Sequence, residues 1–119
     1  IGMAFQVQDD LLDFKGDPSD LGKPVGSDLL NGVLTLPTIM LLERYPNDDL
    51  VQSLFSDRSN DAKLQKVVEV IKDSTILTDC EEVVQDYSHE ACEALQTLPD
   101  CEAKRSLLDL ADYITARRR

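Results

Sequence analysis

Phe5-Gln6-Val7-Gln8-Asp9-Asp10-Leu11-Leu12-Asp13 is the stretch that decides how this chain folds. Apolar and acidic residues alternate in it with a helical period, not a β period. At about 100° per residue, and with Asp9 at zero, Asp13 falls near 40°, Gln6 near 60° and Asp10 near 100°. Ala4, Val7, Leu11 and Leu12, with Ile1, cover the other side and read as core. The stretch is therefore a helix that buries one face and lines up three carboxylates and an amide on the other.

Three like charges beside apolar neighbours repel, so the spacing makes most sense around a cation. Hard divalent ions take oxygen ligands. Magnesium needs only one or two protein carboxylates when water and phosphate oxygens complete its shell. An Asp pair followed by a third Asp one turn later suits that shell, whereas zinc calls for Cys or His. The competing reading is a solvated acidic face, in a chain with 23 acidic residues.

The next segment, Phe14 to Asp28, reads as a loop from its three Gly and two Pro. Lys23 stands in it between Gly22 and Pro24, where a fixed cation makes a natural second contact for phosphate. It is not a Walker loop, because five residues separate Gly16 from Gly22 and Pro24 replaces the hydroxyl residue. Nor is Asp17 to Asp28 an EF-hand, since Leu21 falls on a ligand position.

Beyond the loop the pattern stays helical. Thr35 to Tyr45 is nearly continuous apolar, which predicts a fully buried core helix with Pro37 in its first turn. Asp48 to Phe55 is a short helix, with a break over 56–60. Asp61 caps a helix with Leu64, Val67, Val68 and Ile71 on one stripe. Ser74 to Thr78 reads as a connection, and Asp79 opens the longest helix. Pro99-Asp100 breaks that helix before the last one, Glu102 to about Ala116. The prediction is an all-α chain of about five to six helices.

A formal net charge of −11 argues against nucleic acid or anionic membrane as direct partners. No apolar run approaches the ~20 residues needed to span a bilayer. Cys80, Cys92 and Cys101 are odd in number and widely spaced, as expected of free thiols in a reducing compartment. His89 has no triad neighbours and reads as a surface or capping residue.

Gly2-x-Ala4-Phe5-Gln6-x-x-Asp9-Asp10-x-Leu12-Asp13, followed by Gly22-Lys23-Pro24-x-Gly26-x-Asp28-Leu29-x-x-Gly32-x-x-Thr35-Leu36-Pro37, resembles the second aspartate-rich region of the trans-isoprenyl (polyprenyl) diphosphate synthases. The match runs ungapped over about the first third of the chain. The resemblance implies part of the isoprenoid-synthase helical bundle and a Mg²⁺-dependent prenyltransferase. That enzyme condenses isopentenyl diphosphate with an allylic diphosphate to make all-trans polyprenyl diphosphates. It implies Asp9 as a direct Mg²⁺ ligand, with Asp10 and Asp13 supporting that ion directly or through its waters. Gln6 and Phe5 would line the substrate cavity, and Lys23 would contact the allylic diphosphate. Arg117 to Arg119 would either close over the isopentenyl diphosphate site or form a mobile tail.

The family's first aspartate-rich motif has no match in this sequence. Residues 1–119 therefore read as the C-terminal portion of one polyprenyl synthetase domain, expected to be inactive unaided. The whole enzyme is expected to be cytoplasmic and homodimeric, and peripheral membrane contact stays open because its products are greasy. Two rivals remain. One is a terpene cyclase of the same fold, disfavoured by the Asp-Asp-x-x-Asp and Gly-Lys-Pro pair. The other is a non-catalytic regulatory or scaffold subunit, for which the aspartates would be expected to degenerate.

Overall fold

A computed structural model describes residues 1–16, 19, 22–56 and 61–117. Among them are seven helices and no strand: α1 (Gly2–Lys15), α2 (Ser27–Leu30), α3 (Leu36–Arg44), α4 (Asp49–Ser56), α5 (Asp61–Asp73), α6 (Ile76–Leu95) and α7 (Glu102–Ala116). The all-α expectation holds. The helix beyond the expected six is α2, a single turn that begins at the end of the segment read as loop.

α1 and α6 are the central pair. α7 lies along both, and α3 and α5 pack on the other side of them, with α4 against α5. The seam is apolar because α1 turns Ala4, Val7, Leu11 and Phe14 inward, where they meet Ile76, Cys80 and Val84 of α6. Each fully buried Leu, Val or Phe contributes about 1.5–3 kcal/mol. Ion pairs lace the rim: Lys15 with Glu81 across α1 and α6, and Arg44 with Asp79 across α3 and α6.

Several boundaries differ from the expectation, each for an identifiable reason. Phe14 and Lys15 complete α1, since Phe14 is fully buried against the core. α6 begins three residues before Asp79. Ser74 Oγ donates to the Ile71 carbonyl and accepts from the Ile76 N–H, so one serine closes α5 and opens α6. Ile76 and Leu77 thereby enter the core. α4 starts at Asp49 because Asp48 is its cap, accepting from the Leu50 and Val51 N–H groups. The break expected over 56–60 lies largely outside the described residues.

α3 is not buried all round. Pro37, Thr38 and Leu41 are buried, but Ile39 is 41 % exposed. Its apolar composition serves two faces, one in the core and one along a groove. α5 and α7 follow the expectation closely. Leu64, Val67, Val68 and Ile71 are all buried, and α7 spans Glu102–Ala116.

The assembly is a slab of 53 × 31 × 20 Å with a radius of gyration of 16.7 Å. A compact chain of this length has about 13–14 Å. Large apolar side chains stand exposed on its surface, including Met3, Val33, Leu34, Leu107, Leu110 and Tyr113.

Candidate functional site

The carboxylates of α1 share a helix face but not an environment. Asp9 is open, with its side chain 53 % exposed. Asp10 is half-buried. Asp13 is only 1 % exposed. The difference comes from the segment after α1, which folds back over the last turn. The Gly26 N–H donates to the Asp13 carbonyl at 2.8 Å, and the Asp28 N–H donates to Asp13 Oδ2 at 3.0 Å. Gly26 makes this return possible. It holds φ +74°, and Val68 Cγ2 lies 2.5 Å from where a Cβ would sit. Only glycine fits that conformation and that gap.

Lys23 completes the closure. Its ammonium lies 3.0 Å from Asp13 Oδ1 while the side chain stays 43 % exposed. The oxygen is buried and off the line of a well-aligned hydrogen bond, so charge more than alignment holds the pair. The Asp13 contact raises the Lys23 pKa, partial burial opposes it, and Asp28 and Asp9 add to the rise. Lys23 is thus a fixed cation with an open side, anchored by a buried carboxylate.

Asp10 accepts from Gln6 Nε2 at 2.9 Å, one turn back on α1. Burial raises the Asp10 pKa; the Gln6 amide and the Leu36 backbone offset part of that, and the charges of Asp9 and Asp13 add to it. Asp28 is raised in the same way, first by burial and then by the Asp13 charge, with Lys23 opposing. Both carboxylates stand where a further positive charge would relieve them.

Gln6, Asp9, Asp10 and Asp28 line one end of a groove of about 490 Å³ between α1, α3 and α6. Its walls are apolar, with Met3, Val33, Leu34, Ile39, Val83 and Tyr87. The Thr35 side chain also borders it, and its buried Oγ1 has no hydrogen-bond partner. A groove acidic at one end and greasy along its length fits an amphiphile whose polar head arrives with cations. A cavity of about 560 Å³ lies between α1, α6 and α7, lined by Lys15, Glu81, Glu82, Asp86 and Arg117. Two of its charges, Lys15 and Glu81, pair with each other. The smaller groove is the better candidate, since burial and the Asp13 charge raise the pKa of both Asp10 and Asp28 there.

The donor set fits a hydrated divalent ion. All the donors are hard oxygens, and Asp9 and Asp10 both reach the groove. Among the described residues no three acidic, His or Cys side chains converge into a complete cage. A hydrated divalent ion needs only one or two protein carboxylates when water and ligand oxygens complete its shell.

Of the residues singled out from sequence, Gln6, Asp9 and Asp10 meet at the groove. Asp13 and Lys23 pair with each other outside the groove lining, Asp13 buried and Lys23 partly exposed. Phe5, 47 % exposed, is not among the groove-lining residues; its ring lies beneath the Arg117 guanidinium, 4.9 Å from the centroid. Arg118 and Arg119 lie outside the described residues. His89 is a surface residue 3.2 Å from Glu93 on the next turn. Cys80, Cys92 and Cys101 are free thiols, and burial pushes that of Cys80 up to about 11. Two contributors were not legible as such. Asp28 joins the acidic end only because the loop returns, and Arg117 reaches Asp9 from the far end of the chain, at 3.4 Å.

The polyprenyl synthetase family model matches residues 1–71. Component 2 of the heptaprenyl diphosphate synthase of Bacillus subtilis is 35 % identical over 118 residues, covering 99 % of this chain and 34 % of that protein. The chloroplastic solanesyl diphosphate synthase 1 of Arabidopsis thaliana is 33 % identical over 114 residues, covering 95 % of this chain and 27 % of that protein. The crystal structure of a Staphylococcus aureus heptaprenyl diphosphate synthase superposes with a TM-score of 0.89 at 33 % identity, over 99 % of this chain and 37 % of that one. A Caulobacter crescentus polyprenyl synthase, solved with calcium and isoprenyl diphosphate, superposes with 0.83 at 30 % identity, over 99 % of this chain and 37 % of that one. The chain spans about a third of the length of these relatives.

Proposed function

This chain belongs to the polyprenyl synthetase family, and we propose that it supplies the second aspartate-rich wall of a prenyltransferase that condenses isopentenyl diphosphate with an allylic diphosphate. The observation that carries the reading is the groove itself. It is acidic at Asp9, Asp10 and Asp28 and apolar beyond, and the cation Lys23 is anchored on Asp13, one turn on from Asp9. A prenyl diphosphate has the same polarity along its length.

In this reading Asp9 and Asp10 hold a divalent cation, taken to be Mg²⁺. An ion held by them would supply charge neutralisation of the diphosphate, making it a better leaving group. The structure of the Caulobacter crescentus relative with calcium and isoprenyl diphosphate supports that pairing of ion and ligand. Gln6 orients Asp10 through its amide. Asp13 takes no part in the chemistry directly; it fixes Lys23 so that the ammonium faces the diphosphate. Val33, Leu34, Ile39 and Tyr87 keep water from the reacting carbons, which lets an electron-poor allylic centre survive until the second substrate's double bond attacks. No nucleophile from the protein is needed.

Covering a third of its relatives, the chain is proposed as one wall of a larger catalytic domain, with the facing wall supplied by residues outside it. The assembly is proposed as a cytoplasmic homodimer. No helix among the described residues is long and apolar enough to cross a membrane. Relatives named component 2 make an unlike partner the alternative, which sizing of the purified assembly distinguishes.

The test is a thermal melt with a bisphosphonate, with and without Mg²⁺. The protein should be stabilised by the two together and by neither alone, and Asp9→Ala should remove the shift. Stabilisation that is independent of Mg²⁺, or that survives in Asp9→Ala, refutes the assignment.

A further inference from the structure

Asp9 already has a cation. Arg117 follows the last residue of α7 in an extended conformation, and its guanidinium Nη2 lies 3.4 Å from Asp9 Oδ1. Other contacts help hold the same residue in place. The guanidinium stacks over the Phe5 ring at 4.9 Å, and the Arg117 carbonyl accepts from Gln8 Nε2 at 2.9 Å. Phe5, Gln8 and Asp9 lie at i, i+3 and i+4 on one side of α1. The end of α7 is thus clasped onto the helix that carries the metal-side carboxylates.

The clasp is asymmetric in strength. The apolar stack and the Gln8 bond lie away from the groove. The ion pair is long, to one oxygen only, and Asp9 keeps half of its side-chain surface open. A divalent ion entering the groove brings two positive charges to the carboxylate on which Arg117 places one. Cations at this separation repel, so each weakens the other's hold.

Resting on the reading that Asp9 takes a divalent ion, we propose that Arg117 is a resident counter-cation of Asp9 which the incoming ion displaces. Metal loading of the groove and docking of the C-terminal end of α7 are then opposed. The empty wall stays charge-compensated and clasped, and the loaded wall releases Arg117 from Asp9, loosening the last turn of α7 and uncovering Phe5. By reciprocity, anything that pulls Arg117 away tightens the metal site by the same factor.

Mn²⁺ binding, read from the free-ion paramagnetic resonance signal without any turnover, tests the competition. Arg117→Met keeps the stem over Phe5 and removes the charge; it should bind Mn²⁺ about three- to tenfold more tightly than wild type, the size of one exposed charge–charge interaction. Arg117→Lys should bind like wild type, and Asp9→Asn should lose the site in either background. Unchanged or weaker binding by Arg117→Met overturns the competition while leaving Asp9-dependent binding, and so the proposed function, intact. No Asp9-dependent binding in any of these proteins overturns both. Should Arg117→Met fail to fold, hydrogen exchange on wild type decides. Faster exchange at 111–117 on adding Mn²⁺ supports the displacement, and unchanged or slower exchange refutes it.

Discussion

Replacing Gly26 by Ala tests whether the loop return builds the site. The new methyl meets two separate penalties. At φ +74° an L-residue is strained by about 1–2 kcal/mol. Its Cβ would also lie 2.5 Å from Val68 Cγ2 and 3.1 Å from Cγ1. Val68 is buried on α5 and cannot turn away freely, so overpacking adds about 1–2 kcal/mol more. The expected loss is about 2–4 kcal/mol. For 119 residues the unfolding entropy is about 0.25 kcal/mol/K, so the melting temperature should fall by about 8–16 °C.

Circular dichroism melts of wild type and four variants separate the two penalties. Gly22→Ala is the strain-only control, since Gly22 has φ +68° and nothing within 4 Å of a Cβ. It should cost about 1–2 kcal/mol. In a Val68→Ala background Gly26→Ala should become cheaper by about 1–2 kcal/mol, because the clashing methyls are gone. If Gly26→Ala melts with wild type, or costs as much after Val68 is truncated as before, the packing argument is wrong.

Two further perturbations address the acidic face. Asp13→Ala removes the acceptor of the Asp28 N–H and the partner of Lys23, and should destabilise by about 2–4 kcal/mol. Asp13→Asn retains an acceptor and should cost roughly half as much; equal melts for the two variants would show that the hydrogen bond carries nothing. Asp10 has its pKa raised by burial, so its ionisation favours the unfolded chain. Its contribution to stability is fully present below its unfolded pKa and is lost as pH rises through the folded one. Asp10→Asn should therefore melt slightly above wild type at pH 7, with the gap closing as pH falls into the carboxylate range. A gap that is constant with pH, or of opposite sign, counts against this.

The helices were readable where one buried stripe dominates. Leu64, Val67, Val68 and Ile71 repeat at three- and four-residue steps, and all four are buried. α7 ends at Ala116 as its pattern predicts. Errors came where a non-local contact outweighed local composition. Ile76 and Leu77 looked like connection until Ser74 bridged two helices over them. The apolar run of α3 looked like a buried core helix because composition does not distinguish a second buried face from one that lines a groove.

The family resemblance and the all-α architecture follow from sequence alone, because residue identity at fixed spacings and a 3.6-residue period are local properties. The same period placed Gln6, Asp9, Asp10 and Asp13 on one arc of α1. It could not assign them different work. Asp9 and Asp13 differ by only about 40° around the helix, yet one is 53 % exposed and the other 1 %. That split is made by the chain returning over the last turn of α1 through Gly26, bringing Asp28 and Lys23 onto Asp13. It is made also by Arg117, arriving at Asp9 from 108 residues away. Burial and charge compensation depend on what lies across space from a side chain, and only the tertiary fold decides that.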